Sequence, residues 1–103
     1  VSVDLRKKSK YFGKHSSLIL SDKNNKQIFV PPGFAHGFLC LSNKCIINYY
    51  CTETFDNNDE YGLKWSDSDL KIKWPINNPS LNNRDSSFPL FQDIIDKKLL
   101  PKL

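Results

Sequence analysis

Apolar residues fall in short clusters, and polar turn-forming stretches separate them. Residues 17–20 are apolar and run into Ser-Asp-Lys-Asn-Asn-Lys at 21–26, a turn signal. Residues 27–30 (Gln-Ile-Phe-Val) form a short β-type run. Pro31, Pro32 and Gly33 stop it, since proline cannot donate to a ladder and glycine permits a bend. An apolar run resumes at 38–41, and Ser-Asn-Lys at 42–44 marks a second tight turn. Residues 45–51 (Cys-Ile-Ile-Asn-Tyr-Tyr-Cys) carry the strongest strand signal, being β-branched and aromatic. A polar loop follows at 56–60. Leu63, Trp65, Leu70, Ile72 and Trp74 then recur at roughly alternating spacing, and 75–83 reads as irregular. From 88 to 100 the apolar residues Leu90, Phe91, Ile94, Ile95, Leu99 and Leu100 have helical spacing, which predicts a short C-terminal helix ended by Pro101. Five or six short strands with turns between them predict an all-β sandwich or barrel, although a jelly roll calls for about eight.

At 103 residues the chain makes one small domain. Its 39% hydrophobic and 25% charged residues give an ordinary globular balance, so compositional disorder is excluded. No apolar run approaches the roughly 18 residues of a membrane-crossing helix, and no membrane association is expected. The chain opens on Val-Ser-Val-Asp-Leu-Arg without a signal core, and it contains no Met. It is therefore expected to be processed or cut from something longer. The net charge of +4 raises nucleic-acid binding. The excess cations cluster in the first fourteen residues and in the tail, with no basic stripe through the middle, so no nucleic-acid partner is expected.

The three cysteines, Cys40, Cys45 and Cys51, are odd in number and form no Cys-x-x-Cys pair. This argues against a disulfide scaffold or a zinc ribbon. Each lies in an apolar stretch and reads as a small core residue in a reducing cytoplasm. His36, in Gly-Phe-Ala-His-Gly-Phe, sits just after a turn. It is either a ligand-facing side chain or a loop histidine bonded to backbone. No second histidine or paired carboxylate accompanies it, so no metal site is expected. His15 reads as a surface residue. Tyr49 and Tyr50, adjacent on the expected strand, point to opposite faces. The inward one is a core-lining tyrosine or a proton donor. Phe55 can stack on a planar ligand or cap the core. Asp85 can cap a helix or orient a histidine.

These residues together resemble one family. The segments are Val3-Asp4-Leu5-Arg6, residues 9–13 (Ser-Lys-Tyr-Phe-Gly) and residues 33–38 (Gly-Phe-Ala-His-Gly-Phe). Tyr49, Glu60, Trp65-Ser66-Asp67, Ile72-Lys73-Trp74-Pro75 and Arg84-Asp85 follow in order. The order and spacing resemble the C-terminal part of dTDP-4-dehydrorhamnose 3,5-epimerases, from residue 1 to about 95. The resemblance implies a cupin-like jelly roll, incomplete here because its N-terminal strands are missing, with all of 1–103 belonging to one domain. It implies a cytoplasmic homodimer needing no metal or organic cofactor. The implied reaction inverts C3 and C5 of dTDP-4-dehydro-6-deoxy-D-glucose on the way to dTDP-L-rhamnose and cell-surface polysaccharide. A ketone at C4 acidifies both neighbouring C–H groups, a base removes one proton, and an acid returns a proton from the other face. Tyr49 matches the family's acid. Asp85 matches the aspartate that orients the basic histidine. His36, Glu60 and Arg84 match substrate contacts, and Phe55 matches the aromatic residue that stacks on thymine. The basic histidine belongs to an Arg-Gly-x-His motif that is not in this sequence. The chain alone is therefore expected to lack the base and to be inactive. The alternative is a non-catalytic cupin-like module that binds a sugar nucleotide or a partner subunit. Such a chain is also expected to expose apolar surface and sheet edges.

Overall fold

A computed structural model describes residues 1–102. Its sheet has three short antiparallel strands: β1 (Ser2–Asp4), β2 (His15–Ser16) and β3 (Phe34–His36), in the order β2-β1-β3. The registers place Val3 opposite His15 on one side and opposite Ala35 on the other. Two short helices follow, α1 (Asn83–Ser86) and α2 (Phe91–Asp96), with a 3-10 turn at Asn57–Asp59. Few helices and one antiparallel sheet are consistent with the all-β expectation.

The sequence explains why the sheet closes where it does. The Leu5 N–H donates to the Gly33 carbonyl at 2.9 Å, extending the β1–β3 pairing by one residue. Gly33 has φ of +91° and follows Pro32, and the Phe34 N–H reaches back to the Pro31 carbonyl at 3.4 Å. This is the arrangement of a type II turn, whose third position calls for glycine. Gly13, at φ +75°, makes the corresponding bend before β2, and its N–H donates to the Asp4 carbonyl at 2.8 Å.

The core lies between β1 and α2. Val3, Leu5, Leu70 and Phe91 are buried together, with Phe12, Ala35, Leu63, Ile72, Ile95 and Leu100 packed around them. The Phe12 and Phe91 rings meet at 5.4 Å between centroids. The predicted C-terminal helix is present but shorter than 88–100. The Lys98 N–H bonds the Ile95 carbonyl and the Leu99 N–H bonds the Ile94 carbonyl, with Lys98 at φ +56°. That is a Schellman closure, so a left-handed lysine ends the helix before Pro101 is reached.

Two buried carboxylates organise the core. Asp4, at the end of β1, is 2% exposed and accepts from Arg6 Nε at 2.9 Å, Arg6 Nη2 at 2.8 Å and Ser9 Oγ at 2.6 Å. Asp67 is 4% exposed and has no cation partner among the described residues. Its Oδ1 accepts the N–H groups of Asp69 (2.8 Å) and Leu70 (3.0 Å), and its Oδ2 accepts that of Phe91 (2.8 Å).

The structure corrects several expectations. The runs at 17–20, 27–30, 38–41 and 45–51 are not strands, and the alternating stretch 63–74 is built of turns. Residues 41–60 are exposed throughout, and among the described residues 38–55 makes no backbone–backbone hydrogen bond. The reason is that a strand is a property of a pair. β1 already has partners on both edges, and strand propensity alone leaves 45–51 without a strand partner among the described residues. The cysteines are therefore not core residues: Cys40 is half-buried, and Cys45 and Cys51 are exposed. Tyr49 and Tyr50 both face outward, at 61% and 98% exposure. His15 is half-buried in β2, so the expectation of a surface residue holds only in part. The expected apolar exposure is present, with Phe29 at 82% and Ile46 at 92%. The radius of gyration, 14.2 Å, exceeds the about 13 Å of a close-packed chain of this length.

Asp67→Ala leaves three amide donors without their acceptor and should lower unfolding free energy by about 3 kcal/mol in urea melts. Asp67→Asn keeps an oxygen for the Asp69 and Leu70 amides but can turn only an NH2 group toward Phe91, so a smaller loss is expected. Equal losses would show that the Phe91 contact carries the whole effect and that the Asp69 and Leu70 contacts contribute nothing. The hydrogen bonds from Arg6 hold the Asp4 carboxyl well below the usual carboxylate range, with help from Ser9 and the Arg6 N–H, against the effect of burial. Below about pH 4 the unfolded chain takes up a proton there that the folded chain does not. Stability from this group is therefore complete above about pH 4 and lost as pH falls further. Asp4→Asn should melt lower at pH 7 and show a shallower decline of Tm between pH 4 and 3 than the parent.

Candidate functional site

Three of the six candidate residues come together. Asn82 caps α1 by accepting the Asp85 N–H at 2.7 Å, which fixes the first helical turn and the two side chains that leave it. Arg84 is the bridge. Its Nε donates to Asp85 Oδ1 at 3.0 Å, and its Nη1 donates to Glu60 Oε1 at 2.8 Å across 24 residues of sequence. Asp85, and Glu60 beyond it, hold the guanidinium above its ordinary value. The pairs are half-exposed, so they position the groups more than they stabilise the fold. The guanidinium also lies over the Phe88 ring, 5.8 Å from its centroid. Phe88 in turn packs directly on Gly62, where any side chain would overlap the ring.

Asn82, not Asp85, is thus the helix cap, and among the described residues no hydrogen bond joins Asp85 to His15 or His36. The partner of the Asp85 carboxylate is Arg84. His36 ends β3 and is exposed. Tyr49 and Phe55, 61% and 73% exposed, lie in the unpaired segment. Among the described residues no hydrogen bond or ion pair joins His36, Tyr49 or Phe55 to the Glu60–Arg84–Asp85 cluster. Nor does any group of three or more His, Cys, Asp or Glu side chains stand close enough to hold a metal ion among them. No helix is long and apolar enough to cross a membrane. A recess of about 340 Å³ opens beside Trp65 and Trp74, where the Trp74 indole N–H donates to the Trp65 carbonyl at 2.7 Å. A second, of about 310 Å³, opens on the sheet beside Arg6, Tyr11, Lys14 and His15.

The comparisons with known proteins decide what this arrangement belongs to. The profile of the dTDP-4-dehydrorhamnose 3,5-epimerase family matches residues 1–93. The chain belongs to the dTDP-4-dehydrorhamnose 3,5-epimerase family. A Methanothermobacter thermautotrophicus protein of that name is 49% identical over 76 residues, which is 74% of this chain and 41% of the relative. The Shigella flexneri relative is 40% identical over 93 residues, 90% of this chain and 51% of that protein. The Mycobacterium tuberculosis relative is 35% identical over 105 residues, 99% of this chain and 52% of that protein. The chain thus spans about half the length of the curated relatives it matches. No solved structure matches.

Two structural residues of this family chain escaped sequence reasoning. The sequence Trp65-Ser66-Asp67 marks the family but does not tell that Asp67 reaches Phe91, 24 residues on. Gly62 has no local signal at all. Gly62→Ala should cost about 1–3 kcal/mol by overpacking against Phe88 and should loosen Arg84 from Glu60. Urea melts of Gly62→Ala and of the Gly62→Ala/Phe88→Leu double variant check this. Recovery of most of the loss in the double variant is expected, and an unchanged single variant would show that Phe88 does not fill that space.

Proposed function

We propose that these residues form part of a sugar-nucleotide epimerase that inverts C3 and C5 of dTDP-4-dehydro-6-deoxy-D-glucose, giving dTDP-4-dehydro-L-rhamnose. The observation that carries the reading is the family match over residues 1–93 together with the assembled Glu60–Arg84–Asp85 cluster. The C4 ketone of such a substrate makes the C3 and C5 protons removable, because the resulting carbanion is an enolate. Donors near the C4 oxygen then stabilise the charge that develops. Arg84 suits this environment. A guanidinium carries five N–H donors in a fixed fork. Two of them are engaged by Asp85 and Glu60, which fix its plane and leave the others for substrate oxygens.

In this reading Tyr49 returns the proton as a phenolic acid, and Phe55 stacks on the thymine ring. Both are open to an approaching ligand. Asp85 orients the basic histidine, and His36 and Glu60 contact the sugar nucleotide. The complete domain is a cupin-like jelly roll and works as a cytoplasmic homodimer. Neither His15 nor His36 is the base, so these 103 residues alone do not turn substrate over.

The test places this chain in the Shigella flexneri relative in exchange for the half it matches, and follows the substrate by NMR in heavy water. The chimera should incorporate deuterium at C3 and C5 and form product, whereas the 103-residue chain alone should do neither. In the chimera, Tyr49→Phe removes the acid while leaving the base, so product formation should fall about 10²–10⁴-fold. Its affinity for thymidine diphosphate, measured by calorimetry, should stay within about twofold of the parent, because only the reacting end is altered. Exchange by the chain alone would overturn the assignment of the base. A chimera that binds thymidine diphosphate without exchange would establish a non-catalytic module instead.

A further inference from the structure

Phe88 stands between the polar cluster and the core. Contacts tie residues 60–67 to residues 84–91 in order along both segments. Glu60 accepts from Arg84 at 2.8 Å, and Phe88 packs on Gly62. The Lys64 N–H donates to the Pro89 carbonyl at 2.8 Å, and the Phe91 N–H donates to Asp67 at 2.8 Å. The segments thus close together from the core at Phe91 out to the half-exposed Glu60–Arg84 pair. Phe88 is half-buried midway along, and the guanidinium of Arg84 lies over its ring.

Half-exposed ion pairs alone hold a guanidinium weakly. The hydrogen bonds to Asp85 and Glu60 act along its edge, and they leave Nη2 without a partner among the described residues. The Phe88 ring supports the cation from another direction, and an aromatic face attracts a cation above it. We propose that Phe88 is a positioning residue: wedged against Gly62, it fixes the direction in which Arg84 Nη2 meets substrate, so that the site depends on an arginine and not merely on a cation at 84. This rests on the reading of Arg84 as a substrate contact. A lysine ammonium is a point charge with rotating donors and has no plane to orient. The ring therefore counts for orientation only while a guanidinium lies over it, and this separates positioning from packing.

Two measurements test it. In the full chain, nitrogen-labelled and studied by NMR near neutral pH, the Arg84 Nε–H resonance should persist in the parent and in Phe88→Tyr and be lost in Phe88→Leu. The Arg6 Nε–H, bonded to buried Asp4, is the internal reference. Loss of both resonances reports unfolding, and Phe88→Met then replaces Phe88→Leu throughout. In the chimera with the Shigella flexneri relative, Phe88→Leu should lower kcat/KM about fivefold, and Phe88→Tyr should keep most of it. In an Arg84→Lys background the same Phe88→Leu change should cost less than about twofold. Equal losses in the two backgrounds, or an Arg84 resonance that Phe88→Leu leaves unchanged, would overturn the proposal. An Arg84→Lys chimera with unaltered kcat/KM would overturn the reading of Arg84 as a substrate contact and the proposal with it. That failure is told apart because the Nε–H resonance still responds to Phe88→Leu.

Discussion

Phe91 stands at the centre of the core because the Asp67 carboxylate holds the N–H in front of it. That one hydrogen bond joins two segments 24 residues apart and starts α2 at the place where its apolar side meets β1. The other oxygen of the same carboxylate closes the turn that buries Leu70 beside Phe91. The carboxylate of a residue only 4% exposed, with no cation partner among the described residues, is costly unless its lone pairs are filled. Here three backbone N–H groups fill them, and each would itself be expensive to bury unpaired. The acid and the amides therefore need one another, and the core forms where they meet.

Asp4 solves a related problem at the other side of the core. It lies at the end of the central strand, where the chain must leave the sheet and return as β2. Arg6 and Ser9, both within the next five residues, satisfy its oxygens, so the buried charge is neutralised within the connection it organises. Arg6 also spreads over the Phe34 ring of β3, 4.7 Å from its centroid, which ties the third strand to the same cluster. Gly13 closes the connection with a positive φ, and a side chain there would press on Phe91. The two aspartates thus satisfy separate turns around one core, Asp67 through the Phe91 N–H and Asp4 through Arg6 and Ser9.

What could be read from the sequence divides along physical lines. Local signals were legible: the Pro-Pro-Gly turn before β3, the polar character of 56–60, and the apolar spacing that becomes α2. The length of α2 was not, because a left-handed lysine ends it where no glycine warned of an end. The strands were misplaced for a different reason. β1 and β3 are too short to show a period, while 45–51 has strand propensity in full and no partner. Propensity describes a residue, and pairing describes the topology. The same division holds at the candidate site. Asn82 and Asp85 are neighbours in sequence, and a cap was foreseeable. The Arg84–Glu60 bridge spans 24 residues, and only family resemblance marked both ends of it.

The candidate site is divided in the same way as the fold. Glu60, Arg84 and Asp85 stand on the ordered side, held by α1 and by Phe88 against Gly62. Tyr49 and Phe55 stand on a stretch whose backbone N–H and C=O groups face water. Bends at Thr52 and Glu53 separate them, so their even spacing alone does not set both side chains on one face. A strand partner along 45–51 would fix the register of Tyr49, because a slip of one residue turns its side chain to the other face. Backbone pairing is what fixes register. A partner that satisfied the amides of 45–51 would therefore also set the direction in which the phenol of Tyr49 leaves the backbone.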